Sequence, residues 1–265
     1  MASKTRHVLS ISGGKDSAAL AIYLRGKIPE MEYVFYDTGK ELPETYDYLN
    51  RIEGYLGKRV VRLNSDYDFD HWLNVFGGFL PSARMRWCTK YLKLKPFEEF
   101  CGEDIIRSYI AIRADEDREG YISTKPNIQP VYPFRSDGIT YPDVVQILTE
   151  AGVDIPSYYS WRSRSGCYFC FFQQKIEWVG LLVNHPDLFW RASEYEKTDS
   201  VTSRRFTWGD HESLEELARP ERVAKIKASH QERIERNSVK TSSGRLMELL
   251  EDGDSRPKSC LICTL

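Results

Sequence analysis

The residues best placed for chemistry are Ser12, Gly13, Gly14, Lys15, Asp16 and Ser17, directly after the apolar run Val8-Leu9-Ser10-Ile11. An alternating strand pattern gives way here to two glycines. The next stretch, Ala18-Ala19-Leu20-Ala21-Ile22-Tyr23-Leu24, reads as a helix. A strand that turns on glycines into a helix leaves backbone N–H groups at the positive end of the helix dipole, where phosphate oxygens bind. Gly13 and Gly14 permit positive φ and close approach of an anion, Ser12 and Ser17 offer hydroxyls, and Lys15 offers charge. The spacing is not that of the Walker loop, which needs four residues between its first glycine and the Gly-Lys pair.

Cysteines form the second constellation. Cys167-Tyr168-Phe169-Cys170 places two sulfurs at a spacing that grips one metal centre, and Cys260 and Cys263 repeat that spacing near the end of the chain. Cys88 lies in Arg86-Trp87-Cys88-Thr89-Lys90, a basic setting that favours a thiolate. Cys101, beside Phe97 and Phe100, reads as a small core residue. From spacing alone a Zn2+ site and a redox dithiol both stay open. The dithiol lacks the expected βαβ placement.

Cations and aromatics form the third. Arg84, Arg86, Lys90, Lys93 and Lys95 put five cations and no acid into twelve residues, and Arg162 and Arg164 lie beside Tyr158, Tyr159 and Trp161. This interleaving suits a nucleic-acid backbone and stacked bases. A solvated helix face that also touches nucleotide phosphates is the competing reading.

The elements that must position these residues follow from hydrophobic period. Strand signals at 8–12, 33–36, 59–63 and 105–112 alternate with helical stretches at 17–25, 43–55 and 84–100, and a helix at 140–151 stops at Gly152. Such alternation predicts an α/β fold, a doubly wound, mostly parallel sheet covered on both faces. Residues 126–137, with Pro126, Pro130 and Pro133, read as loop. After Pro156 the pattern becomes helical at 173–184, 186–196 and 220–236. The expected organisation is a nucleotide-binding domain over 1–155, a cysteine-bearing helical appendage over 156–240 and a tail over 241–265.

The 265 residues, 41% hydrophobic and 29% charged, describe an ordinary globular protein, and a net charge of −2 gives no global pull toward nucleic acid. No apolar run reaches the roughly 20 residues needed to span a bilayer. Met1–His7 runs straight into the first strand and leaves no room for a signal peptide, so the expected location is cytoplasmic. There, six cysteines point to metal, redox or core roles rather than structural disulfides.

Taken together, the motifs resemble the phosphoadenosine phosphosulfate (PAPS) reductase family of the ATP-pyrophosphatase, or PP-loop, superfamily. The resemblance rests on Ser12–Ser17, on Asp37-Thr38-Gly39 with Pro43-Glu44-Thr45, on Arg86–Lys93, on Ile112-Arg113-Ala114-Asp115-Glu116, and on Arg164–Cys170. It spans about residues 8–200. The full Ser-Gly-Gly-Lys-Asp-Ser loop is similar to that of ATP-using members such as the ATP pyrophosphatases of DNA phosphorothioation. Trp87 stands where adenylylsulfate reductases have a second cysteine, and the reductases' Glu-Cys-Gly tail is absent.

The resemblance implies an enzyme that binds ATP with Mg2+, adenylates a substrate with pyrophosphate release, and supports iron–sulfur-dependent sulfur transfer to nucleic acid or a nucleotide. A sulfonucleotide reductase and a non-catalytic nucleotide-binding subunit of a modification or defence complex are the alternatives. Lys15, Asp16 and Arg113 are then the expected catalytic residues, with Asp16 on Mg2+ and Arg113 facing the α-phosphate. Asp37, Thr38 and Gly39 are expected beside ribose or adenine. Cys88, Cys167, Cys170 and Cys263 (or Cys260) are expected on a 4Fe–4S cluster, and Arg84, Arg86, Lys90, Arg162 and Arg164 on the acceptor. A sulfur-donor protein, a homo-oligomer or a complex, and no membrane complete the expected partners.

Overall fold

The structure, a computed structural model, describes residues 5–120, 123, 125–198, 205–209 and 212–240. Its centre is a five-stranded sheet in the order β3-β2-β1-β4-β5, built from β1 (Thr5–Ser10), β2 (Glu32–Tyr36), β3 (Val60–Leu63), β4 (Ile105–Tyr109) and β5 (Ile128–Val131). Every pairing is parallel, with Leu9 opposite Tyr33 on one side and Tyr109 on the other. Side chains alternate across a strand, so Leu9, Tyr33 and Tyr109 face one layer while Val8, Val34 and Ile106 face the other. The first layer holds α1 (Lys15–Leu24), α2 (Pro43–Leu56) and α7 (Tyr141–Glu150); the second holds α5 (Lys95–Cys101). The expected doubly wound parallel sheet is therefore present.

Three elements differ from expectation. The expected helix over 84–100 is broken into α4 (Trp87–Thr89), a π-helical turn at Lys90–Leu94, and α5. Pro96 has no N–H to donate and its ring crowds the carbonyl four residues back, so the chain widens before it. A seven-residue helix, α3 (Phe69–Val75), follows Asp68, whose side chain caps the His71 N–H at 2.8 Å. The expected loop at 126–137 contains β5 and α6 (Pro133–Ser136). Pro130 is tolerated because β5 lies at the sheet edge.

The region after Pro156 folds as a 3-10 turn at Ser157–Ser160, then α8 (Lys175–Asn184), α9 (Pro186–Ser193), α10 (Leu214–Leu217) and α11 (Pro220–Lys240), with a short antiparallel pair at Lys197–Thr198 and Arg205–Phe206. It shares a core with earlier residues: Leu42, Phe69, Leu73, Trp87 and Leu92 pack with Tyr158, Phe169, Trp178 and Phe189. This second core thus draws on both sides of residue 155. Lys40 Nζ bonds Asp70 and Tyr195 at 2.9 Å each, and His185 Nε2 lies 2.7 Å from Glu44 Oε1 across the same junction. No helix among the described residues is long and apolar enough to cross a membrane.

Leu148 is fully buried under α1, whereas Val183 is 64% exposed. Leu148→Ala is expected to cost about 2–5 kcal/mol in urea unfolding and Val183→Ala about 0.5 kcal/mol or less. Equal costs would show that the α1–α7 layer is not packed as described.

Candidate functional site

The loop after β1 bends at Gly13, whose φ is +77°, and Gly14 caps α1 in an extended conformation. Both glycines sit against close side-chain neighbours. A Cβ on Gly13 would lie 2.5 Å from Thr45 Cγ2, and one on Gly14 would lie 2.9 Å from Ser165 Oγ and 3.0 Å from the Tyr159 hydroxyl. Serines brace the bend: the Ser12 N–H donates to Ser17 Oγ at 3.1 Å, and Ser17 Oγ donates to the Gly14 carbonyl at 3.1 Å. The residues after Pro156 lie directly on it. Tyr158 donates to the Gly13 carbonyl at 2.7 Å, Tyr159 accepts from the Lys15 N–H at 3.4 Å, and Ser165 donates to Ser12 Oγ at 3.1 Å.

Lys15 and Asp16 open α1 at the C-terminal edge of the sheet, where ligands of open α/β folds lie. Lys15 Nζ is 3.2 Å from Asp16 Oδ2, and Arg113 Nη1 is 2.8 Å from Asp16 Oδ1. Burial works against the charged form of Asp16, but Lys15 and Arg113 outweigh it and hold its carboxyl below the ordinary range. Both oxygens are thus engaged by cations in this structure. Arg113 is 1% exposed and also meets Asp115 at 3.0 Å and Glu116 at 3.1 Å. Its guanidinium locks the Gly13–Ser17 loop to the segment after β4. The expected trio of Lys15, Asp16 and Arg113 is brought together, with Arg113 seated behind the loop's acid.

At the end of β2, Asp37 Oδ1 accepts from the Gly39 N–H at 2.9 Å and from Tyr46 at 2.7 Å, so this carboxylate shapes the turn. Thr38 Oγ1 donates to Glu41 Oε1 at 3.0 Å and lies 3.2 Å from Cys167 Sγ. Burial pushes the Glu41 carboxyl up, against the pull of Lys93, Thr38 and Arg162. Burial, with the Glu41 charge, also pushes the Cys167 thiol well above its usual range. Among the described residues no three His, Cys, Asp or Glu side chains form a metal-holding group. Cys88, Cys167 and Cys170 are therefore not gathered into the expected ligand set in this structure. Cys260 and Cys263 lie outside the described residues. Cys101 is a buried core thiol, as its sequence neighbours predict, and burial pushes its pKa up to about 12.

The expected acceptor-binding cations divide. Arg162 is 2% exposed and donates to the carbonyls of Gly166 at 3.1 Å and Cys167 at 2.7 Å. It pins the cysteine turn from within, which corrects its expected place on a substrate. Arg86 and Arg164 converge on the Phe172 ring, at 5.1 and 5.6 Å from its centroid. Lys90 lies over Tyr91, and Arg84 is exposed. Sequence reasoning missed Glu41 and Ser165. An acid before leucine and a serine before glycine carry no periodic signal, and only the fold brings them to the loop.

Comparison with known proteins follows from this geometry. Residues 6–170 match the phosphoadenosine phosphosulfate reductase domain. An uncharacterized protein of Methanocaldococcus jannaschii is 28% identical over 177 residues, covering 62% of this chain and 35% of that protein. This chain thus spans little more than a third of that relative's length. An uncharacterized 37.8 kDa protein of Escherichia phage 186 is 24% identical over 268 residues, covering 77% of this chain and 78% of that one. Among solved structures, phosphoadenylyl-sulfate reductase from Candida auris, in a phosphate complex, aligns at 13% identity with a TM-score of 0.49, over 61% of this chain and 81% of that chain.

Two outcomes follow for the loop. Gly13→Ala is expected to destabilise by roughly 1–3 kcal/mol from backbone strain plus the Thr45 clash. Gly39→Ala, at φ +67° but with open space around it, should cost less. Equal unfolding free energies would remove the steric argument. The lowered folded-state pKa of Asp16 contributes stability above the unfolded carboxylate range, and that contribution goes as pH falls through the folded value. Asp16→Asn should therefore lose less stability than the unaltered protein between neutral pH and about pH 3. Equal acid losses in urea unfolding would refute the linkage.

Proposed function

The chain belongs to the phosphoadenosine phosphosulfate reductase domain family, and on that premise we propose that it is an ATP-using enzyme that adenylates a substrate with release of pyrophosphate. The observation that carries this reading is the Gly13–Ser17 bend at the start of α1, with Lys15 inside it. ATP supplies an activated α-phosphorus and a pyrophosphate leaving group. The N–H groups of Gly13, Gly14 and Lys15 bind phosphate oxygens at the helix start, the Lys15 N–H exchanging its 3.4 Å contact with the Tyr159 hydroxyl for one of them, and Ser12 and Ser17 add hydroxyls. Lys15 offsets the negative charge of the leaving group. Asp16, held by Arg113, keeps that ammonium in place. Tyr158, Tyr159 and Ser165 close over the loop and restrict water.

The acceptor belongs to the same proposal: a nucleic acid or nucleotide approaching from the Arg86–Phe172–Arg164 side, where two cations flank a half-buried aromatic ring. Sulfur transfer is the second half-reaction of the proposal: sulfide-level sulfur from a donor protein bonds to the activated atom of the acceptor as the bond to AMP breaks, with the Cys167 thiol, 3.2 Å from Thr38 Oγ1 at the end of β2, as the group that positions it. No step is assigned to a cluster.

Lys15→Ala is the direct test. Arg113 still pairs with Asp16 in that variant, so the fold should persist. Pyrophosphate release from ATP should fall by about 100-fold or more. Unchanged turnover in a folded Lys15→Ala protein would overturn the assignment.

A further inference from the structure

A surface of unbalanced charge runs from the cysteine turn onto α4. Arg86 and Arg164, both half-buried, lie on the Phe172 ring, which packs against Phe171 with centroids 4.3 Å apart. Lys90 follows one helical turn after Arg86. Its N–H donates to the Arg86 carbonyl at 3.2 Å, so the two cations share a face. Lys90 Nζ is 5.2 Å from the Tyr91 ring centre, and Tyr91 stacks on Trp72 at 3.9 Å. Arg84 and Met85 stand exposed just before α4.

Among the described residues, Arg84, Arg86, Lys90 and Arg164 meet no carboxylate; Arg86 spends its Nε–H on the Ala83 carbonyl at 3.2 Å. Neighbouring cations without an acid repel one another and favour a polyanion. A mononucleotide brings one base, whereas this surface repeats the pairing of cation and ring, as a strand requires. Its position selects the state of that strand. Arg164 directly precedes Ser165, whose Oγ donates to Ser12 Oγ at 3.1 Å, and Tyr158 and Tyr159 cover the same bend. An acceptor atom has to pass under this cover, yet the bases of a duplex are held in the stack. Enzymes that modify such atoms take single strands or extrude the nucleotide.

We propose that the acceptor is an unpaired stretch of polynucleotide, with its phosphates on Arg86, Lys90 and Arg164 and its bases against the rings among them. The inference rests on the reading that the acceptor is a nucleic acid or nucleotide, and narrows it to a strand. DNA and RNA strands share the chemistry concerned: regularly spaced phosphodiesters and bases free to stack. One ring holds both guanidiniums. A phosphodiester between them accepts from both and relieves their mutual repulsion. Charge alone would favour a duplex, whose phosphates are denser. A preference for the strand therefore reports the rings and the covered bend.

The test is fluorescence anisotropy with the full chain over a salt series, with circular dichroism to check folding. The probes are a mixed-sequence oligonucleotide as single-stranded DNA and as RNA, its duplex, and a free mononucleotide. Either strand should bind about tenfold or more tighter than duplex and mononucleotide. Arg86→Ala combined with Arg164→Ala should weaken strand binding about tenfold and flatten the slope of log K against log salt by about 1.4, the share of two phosphate contacts. Lys225→Ala combined with Lys227→Ala, at exposed positions of α11, should change strand affinity by about twofold at most. Duplex binding as tight as strand binding would overturn the inference, whether or not the variants fold, and leave a nucleic-acid acceptor standing. Mononucleotide binding as tight as the strand would overturn it in favour of a small acceptor. Equal losses in the two double variants would remove the assigned surface. Failure of strand, duplex and mononucleotide alike would overturn both the inference and the acceptor reading beneath it.

Discussion

The absence of side-chain volume at Gly13 and Gly14 is the constraint on which the molecule is built. Thr45 of α2 closes on one glycine and Tyr159 with Ser165 on the other, so three separate segments meet across two residues. The bend turns the chain into α1 and also lets the later helical region lie on the sheet's C-terminal edge. The junction is reinforced further out by Lys40 with Asp70 and Tyr195, and by His185 with Glu44. The second core, in which Phe69 packs on Trp87 and Phe169, then spans both halves of the chain. Glycine bend, cysteine turn and aromatic core are one construction.

Electrostatics follow the same economy. Arg113 is almost wholly enclosed, and an enclosed cation demands partners. It has Asp16, Asp115 and Glu116. Since Asp16 also holds Lys15, the orientation of the loop's one ammonium is fixed from behind by β4's outgoing segment. The same logic governs Arg162, whose guanidinium is spent on two backbone carbonyls around the cysteine turn. Two arginines that look alike in sequence beside functional motifs are therefore scaffolding for the residues next to them.

Much of this was legible beforehand, for reasons that can be named. The first strand, its glycine bend and α1 announce themselves through period and composition, and Pro43-Glu44 marks the start of α2. Gly152, at φ +64°, ends α7 where a left-handed residue is needed. What escaped was whatever depends on tertiary neighbours. α3 has only Phe69 and Leu73 to signal its buried face, too few for a period. The break at Lys90–Leu94 arises from a single missing N–H further along the chain. Arg84, Arg86 and Arg162 are equally basic in sequence, yet one is exposed, one faces an aromatic ring and one is internal. Glu41 reads as a turn residue until the fold carries Lys93 and Cys167 to it.

The proline in β5 bears on how molecules of this chain meet. The carbonyls of Asn127 and Val131 bond into β4, so alternation turns the backbone of Pro130 outward. A parallel sheet whose outermost strand offered a full row of donors there would invite extension by a neighbouring polypeptide. Pro130 interrupts that row at its middle. The sheet is thus capped on this flank by chemistry rather than by cover, and growth of ordered aggregates along it is discouraged at the cost of one residue.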